Sequence, residues 1–208
     1  MDQPERDRKK PRGTSVTLRI GPEGFYREED QLPAGKAEIE HHFAELFCSD
    51  SGGMRPHFKR FGRFDNLCAQ EENDIDFKVE TDLGTKWLEL AEFAPINDVG
   101  RYEEATGVWD GRQMAKLFID LVKKKNDKGY GSGVILMVYA THDRFWVPPP
   151  VVREMPELLK NEHLIFDAVY AVSPHGLVIE AWPGDPNNQG PKGLGKTIVG
   201  PFSEAKKV

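Results

Sequence analysis

Six stretches of the chain either alternate hydrophobic and polar residues or form short apolar runs, and we interpret each as a β-strand. Residues 74–80 and 86–93 alternate on either side of a short turn at residues 81–85, which predicts a hairpin. Residues 134–140 are apolar throughout, as expected of a strand that is covered on both faces at the centre of a sheet. The remaining predicted strands are residues 14–20, 164–172 and 177–182.

Two other stretches repeat their apolar residues every three or four positions, which predicts amphipathic helices. The first covers residues 35–48, and the second covers residues 108–125 and ends in three lysines. A third helix is predicted over residues 151–161, directly after three prolines that the first turn of a helix tolerates. Pro156 interrupts this helix and is expected to shorten or bend it.

The order of these elements predicts one α/β domain over residues 14–183, with three layers (α/β/α) and a central mixed sheet. Residues 1–13 mix charges and prolines without any periodicity, so we expect a disordered leader there. Residues 184–208 are rich in Gly, Pro, Asn and Lys, which predicts an irregular C-terminal tail.

Composition and charge exclude some classes of protein. The chain has 208 residues, with 28 Lys and Arg against 34 Asp and Glu, and a formal net charge of −6. This balance argues against a surface coated in basic residues for wrapping nucleic acid, although a local basic groove is compatible with it. No run is apolar enough for a membrane span or a signal peptide, so we expect a cytoplasmic protein without membrane contact. The two cysteines have no disulfide or zinc spacing.

The alternation of the predicted hairpin determines which of its residues share a face. The apolar face carries Ile75, Phe77, Val79, Leu88 and Leu90. The opposite face carries Asp74, Asp76, Lys78, Glu80 and Glu89. Two registers keep this phase, because either Asp76 or Lys78 can lie opposite Glu89. Neighbouring carboxylates destabilise a sheet unless a cation offsets them, and both Lys78 and a divalent ion are candidates.

The order of elements around these carboxylates resembles that of a known family. A helix carrying Glu38 and Glu45 precedes a hairpin with Asp76 on its first strand and Glu89 on its second, and a helix and a buried strand follow. Over residues 34–140 this arrangement resembles the core of the PD-(D/E)xK nuclease superfamily, the restriction-endonuclease-like fold. The resemblance implies that Asp76 and Glu89 bind Mg²⁺ or Mn²⁺ and that Glu38 or Glu45 is an auxiliary metal ligand.

The family's lysine, two residues after the glutamate, is missing because this chain has Ala91 there. An alanine can neither position nor polarise a water molecule, so another basic residue substitutes for the lysine or the site is not hydrolytic. Lys78 shares the carboxylate face by strand parity and is the first candidate for the water-orienting residue. Arg112 and Lys116, four residues apart on the following helix, are the second candidates.

We therefore expect a nuclease-like protein, an endo- or exonuclease that hydrolyses phosphodiester bonds in DNA or RNA, with Asp76, Glu89 and Lys78 as its catalytic residues. The alternative is an inactive nuclease-like scaffold that serves as a binding or assembly module. The oligomeric state does not follow from the sequence, which leaves a homodimer open. The residues expected to contact nucleic acid are Arg55, Lys59, Arg60, Arg63, Arg112 and Lys116, of which the first four are interleaved with phenylalanines.

Residues 190–197 match the phosphate-binding pattern G-x-x-x-x-G-K-T letter for letter. A P-loop needs a strand directly before this pattern and a helix directly after it, so that backbone N–H groups meet the phosphates. Here the pattern lies in the predicted irregular tail and is followed by Ile-Val-Gly-Pro, which does not predict a helix. We therefore predict no nucleotide-binding site in this segment.

Overall fold

The computed structural model of the chain is an α/β structure built on a six-stranded mixed sheet. It describes residues 14–21, 24–33, 35–49, 55–70, 75–95, 107–142, 145–185 and 190–199. The predicted leader, Asp74 and the residues from 200 onward lie outside the described residues.

The described residues form ten strands and five helices. The strands are β1 (Thr14–Gly21), β2 (Gly24–Gln31), β3 (Phe64–Ala69), β4 (Phe77–Thr81), β5 (Gly84–Glu92), β6 (Gly107–Asp110), β7 (Val134–Tyr139), β8 (Ala168–Val172), β9 (Val178–Trp182) and β10 (Lys196–Val199). The helices are α1 (Lys36–Cys48), α2 (Pro56–Phe61), α3 (Gly111–Asn126), α4 (Pro149–Val152) and α5 (Met155–Leu158).

The large sheet has the strand order β3-β4-β5-β7-β8-β9. β7 is parallel to both of its neighbours, β5 and β8, whereas the other neighbouring pairs are antiparallel. The two central strands are therefore β5 and β7. Every residue of β7 is buried, which confirms the prediction of a central strand covered on both faces.

A hydrophobic core lies on each face of this sheet. The core that we call the α1 core contains Phe43 and Phe47 of α1 together with residues from all six strands. The other, the α3 core, contains Phe118 and Val122 of α3 and also residues of α4 and α5. Because side chains of a strand point to alternate faces, consecutive residues of each central strand enter different cores. Helices thus cover both faces of the sheet, which is compatible with the predicted three layers.

The hairpin of β4 and β5 confirms the predicted phase and selects one of the two registers. The apolar residues Phe77, Val79, Leu88 and Leu90 all lie in the α1 core. Phe77 pairs with Leu88, which is the register that would place Asp76 opposite Glu89, although the pairing itself ends at Phe77.

The prediction for Ile75, in contrast, is wrong. This residue packs against the α3 core, on the other face from Phe77. β4 begins only at Phe77, and the chain bends at residues 75 and 76. The strict alternation of an extended strand therefore does not reach Ile75.

Several other elements differ from their predictions. No regular structure was expected at β2, α2 or β3.

The second helix was expected from residue 108 but begins at Gly111, because residues 107–110 form the strand β6. Asp110 caps this helix by accepting the N–H of Arg112 at 2.8 Å. β6 pairs with β10, so part of the expected irregular tail is a strand. The third helix is two short helices, and Pro156 lies in the first turn of the second. Within the described ranges, no helix has the length and apolar character needed to span a membrane.

Candidate active site

Glu89 is a buried carboxylate in the middle of β5, and only 1% of the residue is exposed. Its Oε1 atom accepts a hydrogen bond from Lys125 Nζ and another from the Tyr130 hydroxyl, at 2.7 Å. Its Oε2 atom is buried and has no hydrogen-bond partner among the described residues. Leaving a buried acceptor unmet costs about 1–3 kcal/mol, and more for a charged group, so this oxygen requires an explanation.

Asp76 is held beside Glu89 by the backbone of β5. Its Oδ2 atom accepts the N–H of Leu90 at 2.7 Å. Burial raises the pKa of the Glu89 carboxyl, and the negative charge of Asp76 raises it further, while the hydrogen bonds from Lys125 and Tyr130 act in the opposite direction. The net direction is upward, because desolvation is the largest of these effects.

Lys125 brings an ammonium group to Glu89 from the last turn of α3. Besides its contact with Glu89, its Nζ atom donates to the carbonyl oxygen of Leu90 at 3.0 Å. The Lys125 side chain is only 19% exposed, so its charge is largely removed from water and is compensated by Glu89. Since the Leu90 carbonyl belongs to the peptide bond that joins Leu90 to Ala91, the amino group lies beside the position where the family has its lysine.

A second buried carboxylate, Glu40, comes from α1 and is 8% exposed. Its Oε1 atom is 3.1 Å from Lys36 Nζ. Burial raises the pKa of the Glu40 carboxyl, and the negative charge of Asp76 raises it further, whereas the hydrogen bond from Lys36 lowers it. Lys36 also interacts electrostatically with Asp76 and Glu89. We call Lys36, Glu40, Asp76, Glu89, Lys125 and Tyr130 the Glu89 cluster. With all groups ionised, its three carboxylates exceed its two lysines and leave one negative charge.

A cavity of about 670 Å³ opens beside Asp76. It is lined by one side of α1, by the end of β3 and by the first residues of the β4 hairpin. Its lining includes four carboxylates, from Glu38, Glu40, Glu45 and Asp76, and none of its lining residues is Lys or Arg. The cavity therefore gives solvent and small ligands access to Asp76 through an acidic surface.

The two predicted auxiliary ligands line this cavity, but both have other partners. Glu38 Oε2 accepts the N–H of Gly35 at 3.1 Å and thereby caps the start of α1. Glu45 is exposed, and its Oε1 atom is 3.2 Å from His41 Nε2 on the same helix. The carboxylate of α1 that interacts with Asp76 is instead that of Glu40.

The structure places the predicted basic substitutes away from Glu89. Lys78 lies opposite Trp87, and its Nζ atom is 3.1 Å from Glu80 Oε1. On α3, Arg112 is exposed, and the exposed Lys116 pairs with Asp120 at 2.6 Å. Because a helix rises about 1.5 Å per residue, Lys116 lies roughly 13 Å from Lys125 along the axis. Lys125 is the lysine that contacts Glu89.

The basic stretch at residues 55–64 lies at the other end of β4 from Asp76, because Phe64 pairs with Thr81. Phe61 and Phe64 are buried, so these two aromatic rings belong to the core. Three of the cations have internal partners: Arg55 donates to the Leu46 carbonyl, Arg60 binds Glu180 through two hydrogen bonds, and Arg63 lies beside Asp82. Lys59 is exposed.

The P-loop-like segment is not followed by the helix that a phosphate site needs. Its last residues, Lys196 and Thr197, begin β10 and pair with Asp110 and Trp109 of β6. The pattern is therefore followed by a strand instead of a helix, so no helix N-terminus is available to bind a phosphate.

Sequence reasoning missed four members of the Glu89 cluster: Lys36, Glu40, Lys125 and Tyr130. Glu40 carried a signal, because it lies three residues before Phe43 and seven before Phe47, within the apolar stripe of α1. Lys125 carried a weaker one, since it follows Val122 by three residues on the buried side of α3. The sequence marked Tyr130 only as a residue of a glycine-rich connection.

Within the described ranges, no three or more His, Cys, Asp or Glu residues are grouped so that they could hold a metal ion together. The pair formed by Asp76 and Glu89 is smaller than such a group. Comparisons with protein-family models, with curated proteins and with solved structures gave no match.

Proposed function

We propose that this chain is a divalent-metal-dependent nuclease-like protein that hydrolyses phosphodiester bonds in DNA or RNA and has a restriction-endonuclease-like fold. The observation that carries the proposal is the Glu89 carboxylate, which is buried, interacts electrostatically with Asp76, takes both of its donors on Oε1 and has an unmet Oε2. The hairpin followed by α3 and the central strand β7 supports the proposed fold.

The donor set at this site suits a hard cation. Mg²⁺ binds oxygen ligands, and proteins usually supply one or two carboxylates while water fills the other positions. Asp76 and Glu89 would be these two ligands, so a larger group of acidic residues is not required. The uncompensated negative charge of the Glu89 cluster also favours a cation. When bound, Mg²⁺ or Mn²⁺ would stabilise the negative charge that develops on the phosphate.

Lys125 takes the role that the family gives to the lysine missing at Ala91. An ammonium group has three N–H donors, and here two of them go to Glu89 Oε1 and the Leu90 carbonyl. The third donor is available to orient a water molecule or a phosphate oxygen beside Glu89. Because α3 and β5 hold this group in place, the hydrogen bond requires little rearrangement when the substrate binds.

The test is a Mg²⁺- or Mn²⁺-dependent cleavage assay on single- and double-stranded DNA and RNA. Asp76→Asn is the most informative variant, because an asparagine side-chain oxygen can still accept the Leu90 N–H while the charge is lost. We expect this variant to fold as the wild type does and to lose cleavage by at least roughly a hundredfold, as expected when a metal ligand loses its charge.

Asp82→Asn is the matched control. Asp82 also accepts a backbone N–H, that of Arg63 at 3.0 Å, but it lies in the hairpin turn at the far end of β4. We expect this variant to cleave at the wild-type rate. Cleavage that survives Asp76→Asn would exclude this site. A wild-type chain that neither cleaves nor binds Mn²⁺ would contradict the nuclease proposal and favour the inactive scaffold that serves as a binding or assembly module.

A further inference from the structure

Tyr130 lies in a glycine-rich connection between α3 and β7. Gly129, Gly131 and Gly133 have φ angles of 69°, 96° and 79°, a region that side chains other than glycine rarely adopt. A Cβ atom at Gly129 or Gly131 would meet nothing within 4 Å, so the backbone conformation, and not a lack of space, accounts for glycine there. These glycines allow the chain to turn back and present Tyr130 to the sheet.

The Tyr130 side chain is held at both of its ends. The hydroxyl donates to Glu89 Oε1 at 2.7 Å. The ring centroid lies 6.2 Å from that of Phe166, which belongs to the α3 core, and Lys128 Nζ lies 5.5 Å from the ring centroid. A tyrosine has only two side-chain torsions, so a ring packed in this way gives its hydroxyl a defined position.

The two oxygens of Glu89 have different surroundings. Lys125 and Tyr130 both donate to Oε1, whereas Oε2 has no partner among the described residues although it is buried. A single lysine on a flexible four-carbon chain defines the rotation of a carboxylate poorly, because its ammonium is a point charge that can follow either oxygen. The second donor removes this freedom and keeps Oε2 unoccupied.

We propose that Tyr130 is a positioning residue for Glu89, whose hydroxyl fixes the rotation of the carboxylate so that Oε2 is the oxygen offered to the divalent cation. This inference rests on the proposed function, since it assigns a role within the same site. Tyr130 acts through Glu89 and does not itself contact the cation. Such outer partners of metal ligands influence affinity because they pre-arrange the ligand before the ion arrives.

The test is Mn²⁺ binding to the full chain, followed by the loss of the free Mn²⁺ signal in electron paramagnetic resonance. We expect Tyr130→Phe to raise the Kd for Mn²⁺ by about tenfold or more, the usual effect of losing such a partner. The cleavage rate of this variant should recover at saturating Mn²⁺, because the cation ligands and Lys125 are intact.

Tyr170→Phe is the matched control, because the Tyr170 hydroxyl also donates to a buried carboxylate, that of Glu180 at 3.2 Å, in the α1 core. It should leave the Mn²⁺ affinity unchanged. Tyr130→Phe itself isolates the hydroxyl, since it keeps the ring that packs near Phe166 and removes only the donor.

The possible results separate the two proposals. A wild-type chain that binds no Mn²⁺ would overturn the proposed function, and the role of Tyr130 with it. If the wild type binds Mn²⁺ and Tyr130→Phe binds it with the same Kd, the role of Tyr130 alone is overturned. A loss of Mn²⁺ affinity in Tyr170→Phe as large as that in Tyr130→Phe would show that removing any buried tyrosine hydroxyl has this effect, and would also overturn that role.

Discussion

His57 provides a direct test of the α1 core through the pH dependence of stability. The residue is completely buried, and its ring stacks on Phe47 with the ring centroids 3.9 Å apart. Nε2 donates to the Phe47 carbonyl oxygen at 2.7 Å, while Nδ1 is buried without a partner among the described residues. Burial lowers the pKa of His57 from 6.5 to about 3, and the nearby Arg55 acts in the same direction.

The sign and size of the effect follow from this difference in pKa. Below pH 6.5 the unfolded chain binds a proton at His57 that the folded chain excludes, so stability is lost as the pH falls towards the folded pKa of about 3. One pKa unit corresponds to about 1.4 kcal/mol, so His57 should remove about 2 kcal/mol of unfolding free energy at pH 5 and about 3 kcal/mol at pH 4.

The assay is urea-induced unfolding at pH 7, 6, 5 and 4, comparing the wild type with His57→Phe. The variant loses the hydrogen bond to Phe47 and should be the less stable protein at pH 7. Its disadvantage should shrink by about 2 kcal/mol between pH 7 and pH 5, because it has no proton to bind at this position. Other titrating groups are common to both chains and cancel in the difference.

His163→Phe, at an exposed histidine, is the control and should keep the pH dependence of the wild type. Parallel stability curves for the wild type and His57→Phe, within about 0.5 kcal/mol from pH 7 to pH 4, would refute the reasoning. Such a result would mean that His57 binds its proton equally well in the folded and unfolded chains, which is incompatible with a sealed aromatic environment.

Two further predictions concern buried ion pairs. Lys125→Met leaves the Glu89 carboxylate buried without its cation and should lower the unfolding free energy by about 3–5 kcal/mol, and adding Glu89→Gln should restore much of the loss. A loss of unfolding free energy below about 1 kcal/mol, measured by urea unfolding, would show that Lys125 and Glu89 do not form a buried ion pair. Arg60→Met leaves Glu180, which is 4% exposed, without its cation. Because Arg60 is partly exposed, we expect a smaller loss of unfolding free energy, about 2–3 kcal/mol, which adding Glu180→Gln should reduce. A thermal unfolding midpoint that Arg60→Met leaves unchanged would show that this ion pair does not stabilise the fold.

The sequence predicted the faces of the β4 and β5 hairpin but could not choose its register. Side-chain direction in a strand has a period of two, so alternating residues identify the shared face of Phe77 and Val79, and that of Leu88 and Leu90, without any knowledge of the partner strand. Both registers keep this phase, and the choice depends on the length of the turn. Thr81 pairs with Gly84, so the turn has only two central residues, fewer than the five that the sequence pattern indicated.

Two members of the Glu89 cluster could not be predicted because their contacts with Glu89 are far apart in the chain. Lys125 and Tyr130 lie 36 and 41 residues after Glu89 and reach it only when α3 packs on the sheet. Lys78 was predicted as the water-orienting residue because strand parity is a local property of the sequence. The contact of Lys125 with Glu89 depends instead on how the end of a helix packs against a strand, which is a tertiary property. The position of α3 in turn depends on β6, which the sequence pattern did not reveal because its partner strand β10 is more than eighty residues away.

The pairing of β5 has a consequence for how the site behaves over time. β5 is hydrogen-bonded on both sides, antiparallel to β4 and parallel to β7. Amides of such a doubly paired strand exchange with solvent only in openings close to global unfolding, whereas surface connections exchange through small local openings. Glu89 is therefore attached to one of the slowest-exchanging parts of the chain. Its backbone stays in place during the local fluctuations that open loops, so a cation bound at Glu89, as proposed, would not have to order this part of the chain.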